Sequence, residues 1–183
     1  SLGSESGIGA VPDLMIENPE HQEGGHFGKS VSSGGDINND GYDDLAVGAD
    51  FQDGAAEDSG KVYVYFGGPG GVDEIPSIVL ESPFMSPGHF GTSVSLDGDI
   101  NADGTSDLVV GADMLDGVES MEGAIFVYYG TNLTAGSLDF VFLESPGGQP
   151  YGRFGYSVKI LGGVIGNDRY DDRYNDGDWG PYG

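Results

Sequence analysis

Gly35-Asp36-Ile37-Asn38-Asn39-Asp40-Gly41-Tyr42-Asp43-Asp44 returns almost intact as Gly98-Asp99-Ile100-Asn101-Ala102-Asp103-Gly104-Thr105-Ser106-Asp107. Oxygen-bearing side chains fall at alternate positions, an arrangement that suits a hard cation. In the first copy Asp36, Asn38, Asp40 and Asp44 can point inward, with the Tyr42 carbonyl between them. Calcium takes about six to eight oxygen ligands at about 2.3–2.6 Å, and a loop alternating Asp, Asn and Asp before a glycine turn supplies most of such a shell. Gly41 and Gly104 provide the turn conformation that side chains resist. The bland alternative is an Asp/Asn/Gly turn with no metal, and the near-identical second copy favours calcium over it. An EF-hand or dockerin loop begins alike but needs an acid at its twelfth position and a helix after it. Val47 and Val110 stand there, inside β-rich runs, which excludes that reading.

Working outward, the flanking phrases repeat as well. His26-Phe27-Gly28-Lys29-Ser30-Val31 is matched by His89-Phe90-Gly91-Thr92-Ser93-Val94 and by Arg153-Phe154-Gly155-Tyr156-Ser157-Val158, with Phe27 to Phe90 spanning 63 residues and Phe90 to Phe154 spanning 64. A fixed period of this size signals supersecondary units stacked side by side. Each unit reads as a strand opened by Phe-Gly-x-Ser-Val, the acidic loop, and a buried strand (Leu45–Ala49 or Leu108–Ala112). An acidic loop (50–59 or 113–122) and a third strand (Lys61–Phe66 or Ala124–Tyr129) follow. A fourth strand ends in proline, at Ile78–Pro83 and Val141–Pro146. Four antiparallel strands per period describe a propeller blade. Leu14-Met15-Ile16 before Pro19 has the look of the fourth strand, so 11–25 is expected to be an orphan fourth strand and loop.

These phrases together resemble the FG-GAP repeat, the blade of the seven-bladed β-propeller in integrin α-subunits and in many secreted microbial proteins. The Phe-Gly pairs are Phe27-Gly28, Phe90-Gly91 and Phe154-Gly155; the Gly-Ala-Pro counterparts are Gly48-Ala49-Asp50 and Gly111-Ala112-Asp113, with Asp replacing Pro. The resemblance covers about residues 11–161. It implies calcium ligation by Asp36, Asn38, Asp40, Tyr42 and Asp44 and by Asp99, Asn101, Asp103, Thr105 and Asp107, the seventh loop position giving its backbone carbonyl. Two calcium ions are therefore expected. In the third unit Gly163 stands where Asp36 and Asp99 do, so calcium binding is not carried onto that copy.

The expected fold class is all-β, made of antiparallel four-stranded propeller-type blades. Residues 1–10 form a flexible leader, 26–88 and 89–152 two complete blades, and 153–183 an unfinished, divergent third. So few blades do not close a propeller by themselves. Either the chain is a piece of a longer protein, or copies join through their unfinished ends.

Composition bounds the function. Thirty-one acids against six bases give a net charge of −25, which repels nucleic acid and anionic membranes. Seven of the 31 acids lie in the two loops, so loop neutralisation and a solvated acidic surface are both needed to account for the charge. With no cysteine, disulfides cannot brace the fold and calcium clips take that place. No apolar run approaches the roughly 20 residues of a membrane span, and Ser1–Ala10 lacks the regions of a signal peptide. Dependence on abundant free calcium points to an extracellular or cell-surface location.

His26 and His89 follow the repeat, and Arg153 replaces them in the third unit, so a structural role is favoured over catalysis. Ser30, Ser93 and Ser157 are expected to bond backbone between blades, and Tyr63, Tyr65, Tyr128 and Tyr129 to pack in the core. The acidic loops after the second strands read as solvated turns or as a second cation site. Asn132-Leu133-Thr134 matches a glycosylation acceptor, a weak motif. The leading expectation is a non-enzymatic calcium-binding module for adhesion or assembly, with a protein or glycan partner. The alternatives are the non-catalytic repeats of a secreted hydrolase and a self-assembling structural protein.

Overall fold

The computed structural model describes residues 14–117, 120–147 and 149–161. The elements run β1 (Ser30–Gly35), β2 (Asp44–Ala49), β3 (Lys61–Tyr65), β4 (Ile78–Glu81), β5 (Phe90–Gly98), β6 (Asp107–Ala112), β7 (Ala124–Tyr128), α1 (Gly130–Thr134) and β8 (Val141–Glu144). They form two antiparallel four-stranded sheets of order β1-β2-β3-β4 and β5-β6-β7-β8, as the repeat predicts. Register is preserved between copies: Gly48 faces Val62 and Gly111 faces Ile125.

The sheets stack face to face around one core. Ile37, Ala46, Val62, Val64 and Leu80 from the first meet Phe90, Val94, Leu96, Leu108, Val110 and Phe126 from the second. Burying apolar area of this kind contributes about 25 cal/mol per Å². Position in the stack decides exposure more than residue type does. Val31 in β1 is 60% exposed while its repeat equivalent Val94 in β5, lying against the first sheet, is 7% exposed.

The repeated phrases have a packing explanation. A side chain at Gly48 would place Cβ 2.0 Å from the Gly91 carbonyl oxygen, and one at Gly111 would place it 1.9 Å from that of Gly155. Thus the glycine of each second strand receives the Phe-Gly of the next unit, where Gly91 and Gly155 hold φ of +88° and +86°. The junction is sealed by Ser30 Oγ donating to the Gly91 carbonyl and Ser93 Oγ to that of Gly155, both at 2.8 Å. This is the between-unit bonding expected of these serines. Tyr63, Tyr65 and Tyr128 are buried, as core packing requires.

His26, His89 and Arg153 share a left-handed backbone, with φ of 55°, 55° and 52°. Each is paired with the Asp that follows the Gly-Ala of a second strand: His26 Nδ1 lies 3.1 Å from Asp50, His89 Nδ1 3.4 Å from Asp113, and Arg153 Nη2 2.6 Å from Asp113. Burial alone would raise the Asp113 carboxyl, but His89 and Arg153 outweigh it and hold it below the usual range. Asp50 and Asp113 are 2% and 0% exposed, so each of the acidic loops they begin opens on a buried carboxylate held by side chains that reach it from the surface.

Three features depart from the sequence reading. Leu14 to Asn18 have no strand structure. Instead Ile16 packs on Val47, Ala49, Tyr63 and Tyr65, and Glu20 accepts from Lys61 Nζ at 2.8 Å and Tyr63 Oη at 2.9 Å. A fourth strand needs a third strand to pair with, and β3 is already paired with β4. The opening strand of a third unit is likewise not formed; among the described residues it makes one isolated parallel bridge, Gly123 to Phe154. Residues 155–161 attach through side-chain bonds instead, such as the Ile160 N–H donating to Ser95 Oγ, and the stretch expected to pair with them lies outside the described residues. The third departure is α1, a single short turn of helix that carries the half-buried Asn132 of the glycosylation motif. The altered third loop at 163–172 lies outside the described residues.

Candidate metal centres

Each acidic loop joins the first and second strands of a sheet, and the two copies are built alike. Asp36 opens the first: Oδ1 accepts from the Asp40 N–H at 3.1 Å and Oδ2 from the Gly41 N–H at 2.8 Å. Asp99 repeats this with Asp103 at 3.1 Å and Gly104 at 2.7 Å. Asn38 Oδ1 and Asn101 Oδ1 accept from the same Asp40 and Asp103 amides, and Asp40 and Asp103 accept from Tyr42 and Thr105 amides, each at 3.0 Å. Asn39 and Ala102 turn the chain at φ of 56° and 59°. Gly41 and Gly104 hold φ of +92°, as the sequence reading requires of them.

The ninth-position carboxylates differ from the rest because they are buried. Asp44 and Asp107 are 1% and 0% exposed. Asp44 accepts from the Ile37 N–H at 2.8 Å and the Gly67 N–H at 2.7 Å. Asp107 accepts from Ile100 at 2.7 Å and Gly130 at 3.0 Å. Burial pushes both carboxyls up from the ordinary range, with the negative charge of Asp36 and Asp40 adding to the rise at Asp44 and that of Asp103 at Asp107. Asp103 goes the other way: burial raises it, but hydrogen bonds from Asn101 and Thr131 prevail and lower it.

The structure thus brings all ten expected residues into two matching loops. Among the described residues, no group of three or more His, Cys, Asp or Glu side chains is gathered so as to hold a metal ion; the carboxylates are turned to N–H groups of the loops and, at Asp44 and Asp107, also of Gly67 and Gly130. The donor set nonetheless fits a hard divalent cation. It is oxygen only, and the oxygens of Asp36, Asp40 and Asp99 each accept one hydrogen bond and keep a second lone pair; Asp103 Oδ2, which accepts from both Asn101 Nδ2 and Thr131 Oγ1, would have to give up a donor to ligate. A cation would also offset the burial of charge, and the smaller repulsion from neighbouring carboxylates, that raise Asp44 and Asp107.

Sequence reasoning missed the supports. Gly67 and Gly130, each two residues beyond the end of a third strand, donate to the ninth-position carboxylates; Thr131 Oγ1 donates to Asp103 at 2.9 Å; and Ser106 reaches across to Asp36. The glycines could have been found, because both stand 23 residues after the carboxylate they serve.

Fold and loops together define a class: stacked four-stranded propeller-type blades with an acidic loop between the first two strands of each. Residues 27–65 and 90–128 each match the FG-GAP repeat. It is similar to Integrin alpha-5 of Xenopus laevis, at 41% identity over 106 residues covering 56% of this chain and 10% of that protein. Integrin alpha-PS5 of Drosophila melanogaster is 42% identical over 94 residues, covering 49% of this chain and 9% of that protein. Integrin alpha-IIb of Homo sapiens is 41% identical over 102 residues, covering 56% and 9%. The chain therefore spans about a tenth of the length of these relatives. No helix among the described residues is long and apolar enough to cross a membrane.

Proposed function

We propose that this chain is a non-catalytic, calcium-braced repeat module of an extracellular or cell-surface protein, serving adhesion through a protein or glycan partner. The observation that carries the reading is the duplicated loop, in which an oxygen-only donor set is arrayed around a buried carboxylate twice in the same hydrogen-bond pattern. When bound, calcium supplies positive charge to carboxylates that otherwise repel one another. Asp36, Asn38, Asp40, Asp44 and the Tyr42 carbonyl hold it in the first loop, and Asp99, Asn101, Asp103, Asp107 and the Thr105 carbonyl in the second. Each loop then keeps one strand connection in a fixed shape, and the exposed rim, including Tyr42, is presented to a partner. The likeness to integrin alpha chains supports adhesion over the enzyme-appended alternative.

The test is thermal unfolding in calcium and in chelator. A ligand bound only by the folded state at a hundredfold excess over Kd stabilises by about 2.7 kcal/mol per site. For a chain of this size that raises Tm by roughly 5–10 °C per site. Asp36→Ala combined with Asp99→Ala should abolish the increment; equal melting temperatures with and without calcium in the unaltered chain would refute the reading.

A second reading, assembly through the end of the stack, is favoured by an apolar hollow of about 390 Å³ on the second sheet, lined by Ile100, Val109, Ile125, Val127, Leu143 and Ile160. It is the repeat counterpart of the face that the second sheet covers on the first. Sedimentation velocity in calcium distinguishes the two, since a monomer across the micromolar range leaves adhesion alone.

A further inference from the structure

The two loops are not independent. Ser106, the eighth residue of the second loop, makes a reciprocal pair with the first residue of the first loop, 70 positions away. The Asp36 N–H donates to Ser106 Oγ at 3.1 Å, and the Ser106 N–H donates to the Asp36 carbonyl at 3.1 Å. Ser106 lies between Thr105 and Asp107, the seventh and ninth positions of its own loop. Behind it the packing is closed: a Cβ at Gly130 would lie 2.2 Å from the Ser106 carbonyl oxygen and 3.0 Å from that of Ile37, and one at Gly35 would lie 2.9 Å from Ser106 Cβ. Gly130 is also the residue whose N–H holds Asp107. The main chain at Asp36–Ile37 and at Thr105–Asp107 therefore forms one junction, and neither segment shifts without the other. Asp43 occupies the equivalent place in the first loop, so the reciprocal hydroxyl contact is specific to the second.

We infer that Ser106 is a positioning residue coupling the two loops, so that calcium bound at one raises the affinity of the other. This rests on the calcium reading of both loops. The ordering that ligation imposes on Thr105–Asp107 is transmitted to Asp36, so the second ion meets a segment already fixed; coupling of this kind is reciprocal between the sites.

The experiment is a calcium titration of the whole chain in chelator-stripped buffer, following the amide resonances of Gly41 and Gly104 as separate reporters of the two loops. The unaltered chain should fill both loops together with a Hill coefficient above unity. Asp103→Asn, which weakens the second loop, should lower the first loop's affinity about fivefold or more. In a Ser106→Ala background, which loses the hydroxyl acceptor but keeps the Ser106 N–H bond to the Asp36 carbonyl, the same change should lower the first loop's affinity clearly less, while Ser106→Thr, which keeps the hydroxyl, should restore the full dependence. A merely structural serine would lower the melting temperature in chelator without altering this cross-dependence. Loops that fill independently in the unaltered chain, or coupling undiminished in Ser106→Ala, would overturn the inference and leave the calcium reading standing. If neither glycine resonance moves at about 10 mM calcium, beyond the range of weak extracellular sites, both fall. Should Ser106→Ala not fold, the Asp103→Asn titration decides: an unchanged midpoint at Gly41 overturns the coupling.

Discussion

Asp44 and Asp107 are carboxylates that the fold makes harder to ionise. Burial raises them despite the backbone N–H groups that donate to each, so without calcium their charged form opposes folding at neutral pH. A carboxyl whose folded pKa lies above its unfolded value binds its proton more readily in the folded state. Stability from this pair therefore rises as pH falls through the raised folded pKa, until the ordinary value of 3.8 is reached. Glu20, Asp97, Asp103 and Asp113 act in the opposite sense. Their lowered carboxyls contribute stability that is fully present above 4.5 for Glu20 and 3.8 for the aspartates, and is lost below as pH falls through the folded values. The calcium-free chain should accordingly be most stable on the acid side of neutrality, above the point where the second group begins to fail. Urea unfolding against pH in chelator checks this, and stability falling steadily from pH 7 downward would contradict it. Asp44→Asn with Asp107→Asn should flatten the slope. Each substitution also leaves one backbone N–H without its acceptor, which costs about 1–3 kcal/mol.

At the scale of strands, the spacing between sheets is set by glycines whose missing Cβ lets backbone meet backbone. Gly48→Ala would drive a methyl group into the Gly91 carbonyl, which cannot swing aside as a long side chain would. A loss of about 3 kcal/mol, the upper end for overpacking, is expected in denaturant unfolding. Gly104→Ala meets nothing within 4 Å and offends only through its φ of +92°, so a loss of about 1–2 kcal/mol should follow; equal losses at the two positions would show that close approach does not govern the stack. Much of this level was legible in the sequence because the repeat reports each element twice: the strands and the Phe-Gly and Gly-Ala phrases could be read from spacing, while the ten loop positions came from the resemblance those phrases carry. Leu14–Ile16 misled because a strand's composition does not provide its hydrogen-bonding partner. Ser106 and Thr131 were silent for a related reason. Ser106 meets Asp36 only through the stacking of one sheet on another, and Thr131 reaches Asp103 only through α1, a turn with no periodicity to announce it.

For the molecule as a whole, charge is the dominant unbalanced quantity. The four described basic residues are already engaged: Lys61 between Glu20 and Glu81, Lys29 beside Asp50, Arg153 on Asp113 and Lys159 on Asp97. With 31 acids against six bases overall, the remaining acids repel one another more in the compact state than in the extended one. Screening weakens the few attractive pairs as well, but Lys61 is almost fully buried and feels salt least, so relief of repulsion should prevail. Raising sodium chloride from about 0.01 M to about 1 M shortens the Debye length from about 30 Å to about 3 Å. In chelator this should raise Tm, and in saturating calcium the rise should be smaller, because the ions have already neutralised the carboxylates of the two loops. Differential scanning calorimetry at both salt concentrations, with and without calcium, measures both increments. A Tm that falls with salt in chelator would mean that the ion pairs, and not the acidic excess, dominate the electrostatics. A rise of equal size in both conditions would mean that the destabilising charge lies outside the loops.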